Sequence, residues 1–129
     1  MKLHHVGIAT DNLAATQRRY ELLGYRLEAE EVLPSQGVRA AMLLSGEDRL
    51  ELLEPTSPTT PVGRFLSKRG PGLHHLAFAS SDILADLEKL AQSGARLLDE
   101  KPRPGFGGHL VAFVHPSWAN GVLVELVAE

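Results

Sequence analysis

A chain of 129 residues has the size of one compact domain, or of two half-size modules that share a core. A net charge of −3 and a pI near 6.1 give no basis for nucleic acid or an anionic membrane as partner, and no apolar run approaches the ~20 residues of a membrane span. With no cysteine there is neither a disulfide frame nor a thiolate metal site, so any metal must take nitrogen and oxygen ligands; with no targeting pattern at the start, the cytoplasm is the expected location.

The first predicted element is a strand, Lys2-Leu3-His4-His5-Val6-Gly7-Ile8-Ala9. The spacing of Leu13, Ala14, Tyr20 and Leu23 then predicts a helix over 11–23, with Asp11 as N-cap and Gly24 as its stop. Strands are expected at 25–31, 38–44 and 49–54, separated by turns at Pro34-Ser35-Gln36-Gly37 and Gly46-Glu47-Asp48, and Pro55 ends the last. The segment from Pro55 to Pro61, rich in Thr, Ser and Pro, reads as a surface connection. A short helix over 61–68 follows, with Pro61 at its first position and Gly70 beyond its end.

Gly72-Leu73-His74-His75-Leu76-Ala77-Phe78-Ala79 then repeats the opening strand. A helix over 82–93, with Ile83, Leu84, Leu87 and Leu90 on one face, ends at Gly94. Strands are expected at 95–99, 110–115 and 121–127, with a Gly/Pro loop over 102–108. The order βαβββ thus occurs twice. Module 1 covers about 1–55, a linker and short helix about 56–70, and module 2 about 71–129. The two His strands lie 75 − 5 = 70 residues apart, too far for a solenoid repeat. The predicted fold class is α+β, with the two βαβββ modules pairing into one half-closed, barrel-like cleft.

Side chains alternate along a strand, so His5, Gly7 and Ala9 share a face, as do His75, Ala77 and Ala79. The other faces carry Val6 and Ile8, or Leu76 and Phe78, and suit packing under helices. Two glutamates break otherwise apolar strands: Glu51 in Leu50-Glu51-Leu52-Leu53, and Glu125 in Val124-Glu125-Leu126-Val127. Each is either solvated on an outer face or buried with a partner, because an isolated buried charge is too costly. Both occupy the last strand of their module, so the pattern His…Glu occurs twice. His5, Glu51, His75 and Glu125 form a candidate N2O2 set for a divalent first-row metal; His5 is chosen over His4, and His75 over His74, because of the small-residue face.

The stretches His4-His5-Val6-Gly7-Ile8-Ala9, Glu51-Leu52-Leu53-Glu54-Pro55, Gly72-Leu73-His74-His75-Leu76-Ala77-Phe78 and Phe113-Val114-His115-Pro116 followed by Asn120-Gly121-Val122-Leu123-Val124-Glu125-Leu126 carry a family resemblance. Together they resemble the vicinal oxygen chelate (glyoxalase/bleomycin resistance/dioxygenase) superfamily and, within it, the methylmalonyl-CoA epimerase family. The resemblance implies His5, Glu51, His75 and Glu125 as metal ligands, with Co2+ foremost and Mn2+, Ni2+ or Zn2+ as alternatives. It implies an acyl-CoA substrate, inversion through an enolate, and Glu51 and Glu125 as the pair of general bases. Two departures stand out: some relatives have Gln in place of Glu51, and some carry a Glu where this chain has Ala40. His115 is the first substitute for that missing group. Arg39, Arg64, Lys68, Arg69, Lys101 and Arg103 are candidates for the CoA phosphates, Gly105-Phe106-Gly107-Gly108 for close backbone approach, and Trp118 for a cap on the core. The same ligands also occur in glyoxalase I, the alternative activity; a metal-free binding protein is the alternative from another class. Open sheet edges make a homodimer the expected assembly.

Overall fold

The computed structural model describes residues 1–129. Eight strands and three helices follow the order β1 (Leu3–Ala9), α1 (Leu13–Glu21), β2 (Arg26–Leu33), β3 (Val38–Ser45), β4 (Asp48–Pro55), α2 (Pro61–Arg69), β5 (Gly72–Ser80), α3 (Ile83–Gln92), β6 (Arg103–Pro104), β7 (Leu110–Val114) and β8 (Val124–Ala128). The class is α+β, as expected, and the βαβββ order occurs twice. The strands belong to one sheet, ordered β2-β3-β4-β1-β5-β8-β7-β6. No helix is long and apolar enough to cross a membrane.

Two compact units make up the chain: residues 5–74, and residues 1–4 together with 75–129. In the first, β1 runs parallel to β4, and β3 is antiparallel to both β4 and β2. Ile8, Leu13, Ala41, Leu43 and Leu52 form its core, with Tyr20, Tyr25 and Leu50 packed against them. In the second, β5 runs parallel to β8, and β7 is antiparallel to β8 and β6. There Ile83, Leu87, Ala112 and Leu126 pack with Phe78, Leu90 and Leu97. In both units the helix covers the bulky face of the first strand.

Local chemistry repeats with the same offset of 70. Asn12 and Asp82 are the N-caps of α1 and α3, accepting from the backbone N–H of Ala15 and Ala85. The N-cap thus lies at Asn12, one residue beyond the expected Asp11; the next amide, Leu13 N, donates to Glu54 Oε2 at 2.7 Å, so a carboxylate from β4 meets the positive end of the helix. Gly24 and Gly94 follow the helices at φ +97 in both units, a left-handed conformation that disfavours a Cβ.

Four further expectations are corrected. Leu84 is 66 % exposed, so the covered stripe of α3 consists of Ile83, Leu87 and Leu90. The strand expected at 95–99 is reduced to a bridge between Leu97 and Val114, and the Asp99 carboxylate accepts the Phe113 N–H that a ladder would have used. The pairing strand is Arg103–Pro104, inside the segment expected to be loop. The last strand begins at Val124 because Asn120 (φ 57) and Gly121 (φ 91) are both left-handed and close a turn.

Candidate metal centre

Parallel pairing fixes the geometry of each His–Glu pair. Gly7 is the register partner of Glu51, and Ala77 of Glu125. Gly7 and Ala77 lie two residues beyond His5 and His75, on the same faces. Each carboxylate is therefore set on the face of the imidazole on the adjacent strand, and the residue beside it is too small to intervene. His5 Nε2 lies 3.4 Å from Glu51 Oε1, and His75 Nε2 lies 3.2 Å from Glu125 Oε1.

All four side chains are removed from water: His5 is 3 % exposed, Glu51 5 %, His75 4 % and Glu125 4 %. Each offers one ligand atom, and the four atoms lie within 4.8 Å of one another. Burying carboxylates without a counter-charge costs several kcal/mol per ion, and a divalent cation would offset that cost. Two imidazole nitrogens and two carboxylate oxygens fit a first-row divalent metal, so the donor set is chemically suited to one.

The neighbouring histidines take other places. His4 and His74 are only half-buried, and the ring of His74 meets Phe65 edge-on at 4.8 Å between centroids. His115 caps the turn at Pro116–Ala119: its Nδ1 accepts from the backbone N–H of Ser117 at 3.0 Å and lies 2.8 Å from the Ser117 hydroxyl. Trp118 is 43 % exposed and donates from Nε1 to Ser93 Oγ, so it does not cap the core. Ala40 is fully buried on the Glu51 face, opposite Leu53, and contributes no polar atom beyond its backbone.

Among the basic residues, Arg64 donates to the backbone oxygen of Thr59 at 2.6 Å, and the Arg69 guanidinium lies over Phe65. Arg39, Lys68 and Lys101 are exposed. Residues 106–108 form a tight turn with Gly107 and Gly108 at positive φ, which accounts for those glycines by turn geometry alone. A residue the sequence reading passed over is Phe113: its ring meets the His75 ring edge-on at 5.8 Å between centroids. Its alternation with Val111 on β7 was the available signal.

Residues 4–113 match the glyoxalase/bleomycin resistance protein/dioxygenase superfamily. The ethylmalonyl-CoA/methylmalonyl-CoA epimerase of Cereibacter sphaeroides is 37% identical over 128 residues, covering 97% of this chain and 96% of the relative. A Streptomyces coelicolor methylmalonyl-CoA epimerase variant in complex with 2-nitronate-propionyl-CoA superposes with a TM-score of 0.94 at 40% identity, covering 100% of this chain and 94% of the other. A methylmalonyl-CoA epimerase in complex with methylmalonyl-CoA and NH4+ has a TM-score of 0.94 at 41% identity, covering 99% and 94%.

Proposed function

The chain belongs to the glyoxalase/bleomycin resistance protein/dioxygenase superfamily, and from that premise we propose that it interconverts the R and S forms of methylmalonyl-CoA with one divalent ion held by His5, Glu51, His75 and Glu125. Epimerases acting on that thioester resemble this chain along nearly its whole length. The observation that carries the metal-dependent reading is the buried His–Glu pair, formed twice at the same register.

The proton to be moved sits on the carbon between a thioester carbonyl and a carboxylate. When bound, the ion would supply Lewis-acid charge to the oxygen on which negative charge builds as that proton leaves. The chain's own groups do the rest. His5 and His75 offer neutral donors from the first strand of each module, while Gly7 and Ala77 keep bulk away from the two pairs. Inversion requires a proton acceptor on one face of the planar intermediate and a donor on the other. Glu51 and Glu125 take these two roles, one for each face. Ala40 offers no acid–base group, and the imidazole of His115 is engaged in its own turn.

A coupled assay with methylmalonyl-CoA mutase, run beside a glyoxalase assay on the hemithioacetal of methylglyoxal, tests the activity. Turnover of methylmalonyl-CoA alone is expected. Turnover of the hemithioacetal alone would overturn the reading.

A further inference from the structure

Module 2 carries a cation, Arg103, on its donor-bearing face, at the strand furthest from β5. In sheet order its strands run β5-β8-β7-β6. Glu125 pairs with Ala77 on one side and Phe113 on the other, while Arg103 pairs with Val111. Directly opposed residues share a face, as do residues two apart along a strand. His75, Glu125, Phe113 and Arg103 therefore lie on one face, each a strand further from β5. The matching row in module 1 is His5, Glu51, Met42 and Glu31, since Glu31 pairs with Ala40, two residues before Met42, as Arg103 pairs with Val111, two residues before Phe113; the row there ends in a carboxylate instead of a guanidinium.

Arg103 is held in place from several sides. Its Nε lies 3.2 Å from Asp99 Oδ1, and Asp99 Oδ2 accepts the Phe113 N–H at 2.9 Å. Its Cζ lies 5.8 Å from the centroid of the Phe113 ring, the same ring that meets His75. Pro102 and Pro104 stiffen its backbone on both sides. The next residue, Gly105, donates to His109 O at 2.7 Å, and a Cβ there would come within 2.8 Å of Val111 Cγ1. The side chain nevertheless stays 35 % exposed, within reach of a ligand.

We propose that Arg103 binds the free carboxylate of the acyl group and so selects thioesters of malonate type over uncharged acyl thioesters. The inference rests on the epimerase reading above. A guanidinium carries five N–H donors in a planar fork, enough to serve Asp99 and a substrate carboxylate together. Neighbouring strands are ~4.8 Å apart and residues two apart along a strand ~6.6 Å, so the Arg103 backbone lies roughly 12 Å from that of Glu125 and its long side chain spans much of that gap. A carboxylate one carbon from the thioester lies in this range when the reacting carbon is at the donors. The phosphates of CoA lie a whole pantetheine arm away.

The test compares dissociation constants of malonyl-CoA and acetyl-CoA for the metal-loaded protein and for Arg103→Gln and Arg103→Lys. Arg103→Gln is expected to narrow the preference for malonyl-CoA by roughly ten- to hundredfold, the range for a hydrogen bond to a charged group. Affinity for acetyl-CoA and metal content stay at the parent level. Arg103→Lys restores part of the preference, because charge returns without the fork. An unchanged preference in Arg103→Gln overturns the proposal. The same comparison with malonyl- and acetyl-pantetheine, which lack the nucleotide, is expected to give the same loss; an effect confined to the CoA esters would place Arg103 on a phosphate and overturn it too. Failure of the parent protein to turn over methylmalonyl-CoA would instead sink the epimerase reading, whereas parent turnover with an unchanged Arg103→Gln preference sinks this inference alone.

Discussion

At the residue scale the paired histidines supply their own control. His5 and His75 are buried beside carboxylates, while His4 and His74 are one residue away and face elsewhere. His5→Ala or His75→Ala should lower metal content measured by elemental analysis, and His4→Ala or His74→Ala should leave it at the parent level. Equal content in all four variants would remove the ligand assignment. The glutamates separate by a different readout. If each serves one face, Glu125→Gln abolishes interconversion yet still washes solvent deuterium into one enantiomer, with a loss of ~10²–10⁴ in overall rate. Metal content must be measured on the same sample, since losing the ion would mimic losing the base. Glu51→Gln is the milder change, because the amide oxygen can still ligate; a parent rate in both directions would leave Glu51 as ligand only.

At the scale of elements, each helix is tied to its first strand by a side-chain contact repeated with the same offset. Thr10 Oγ1 lies 2.7 Å from Thr16 Oγ1, and Ser80 Oγ donates to Asp86 Oδ2 at 2.5 Å. Ser80 is fully buried, so Asp86→Ala strands its hydroxyl and should cost about 1–3 kcal/mol in denaturant unfolding. Leu87→Ala opens the second core and should cost about 2–5 kcal/mol, while Leu84→Ala, at an exposed site, should stay within about 0.5 kcal/mol. A large loss at Leu84 would contradict the burial assignment. Helical spacing alone could not separate Leu84 from Leu87: Leu84 lies close enough to the apolar arc to be counted with it, and only the packing of α3 on β8 decides. The cap at Asn12 was ambiguous for a similar reason, since adjacent Asp and Asn are both competent caps and the choice depends on Glu54 arriving from β4. The strand at 95–99 failed because Asp99 uses its side chain where the ladder would use backbone. The pairing of each His with a Glu was legible because a period-two pattern reports directly on which side chains share a face, and because a His in the first strand and a Glu in the last recur in both modules. Arg103 was visible only as one basic residue among several, for its distinction lies in the register of a two-residue strand.

For the whole molecule, an ion held by the four buried side chains His5, Glu51, His75 and Glu125 would make stability depend on its concentration. A metal at a hundred times its dissociation constant adds about 2.7 kcal/mol. For a domain of this length that corresponds to about 10 °C in Tm. Chelation should therefore lower Tm by about that much, and restoring Co2+ should recover it; an unchanged Tm in protein that binds metal stoichiometrically would mean the unfolded chain holds the ion equally well.

The division of the chain places residues 1–4 with residues 75–129, and Lys2 O accepts the N–H of Ala79 at 2.9 Å. Residues 1–4 thus belong with a unit whose other residues are made after residues 5–74. At ~5–20 residues per second, Lys2 waits roughly 4–15 s for a partner 77 positions downstream, while everything needed for residues 5–74 has already emerged. Removing residues 1–4 should leave hydrogen exchange in β3 and β4 unchanged and speed it in β5, beginning at Ala79. Equal protection of β5 in the shortened chain would show that those four residues contribute nothing to the half that carries His75.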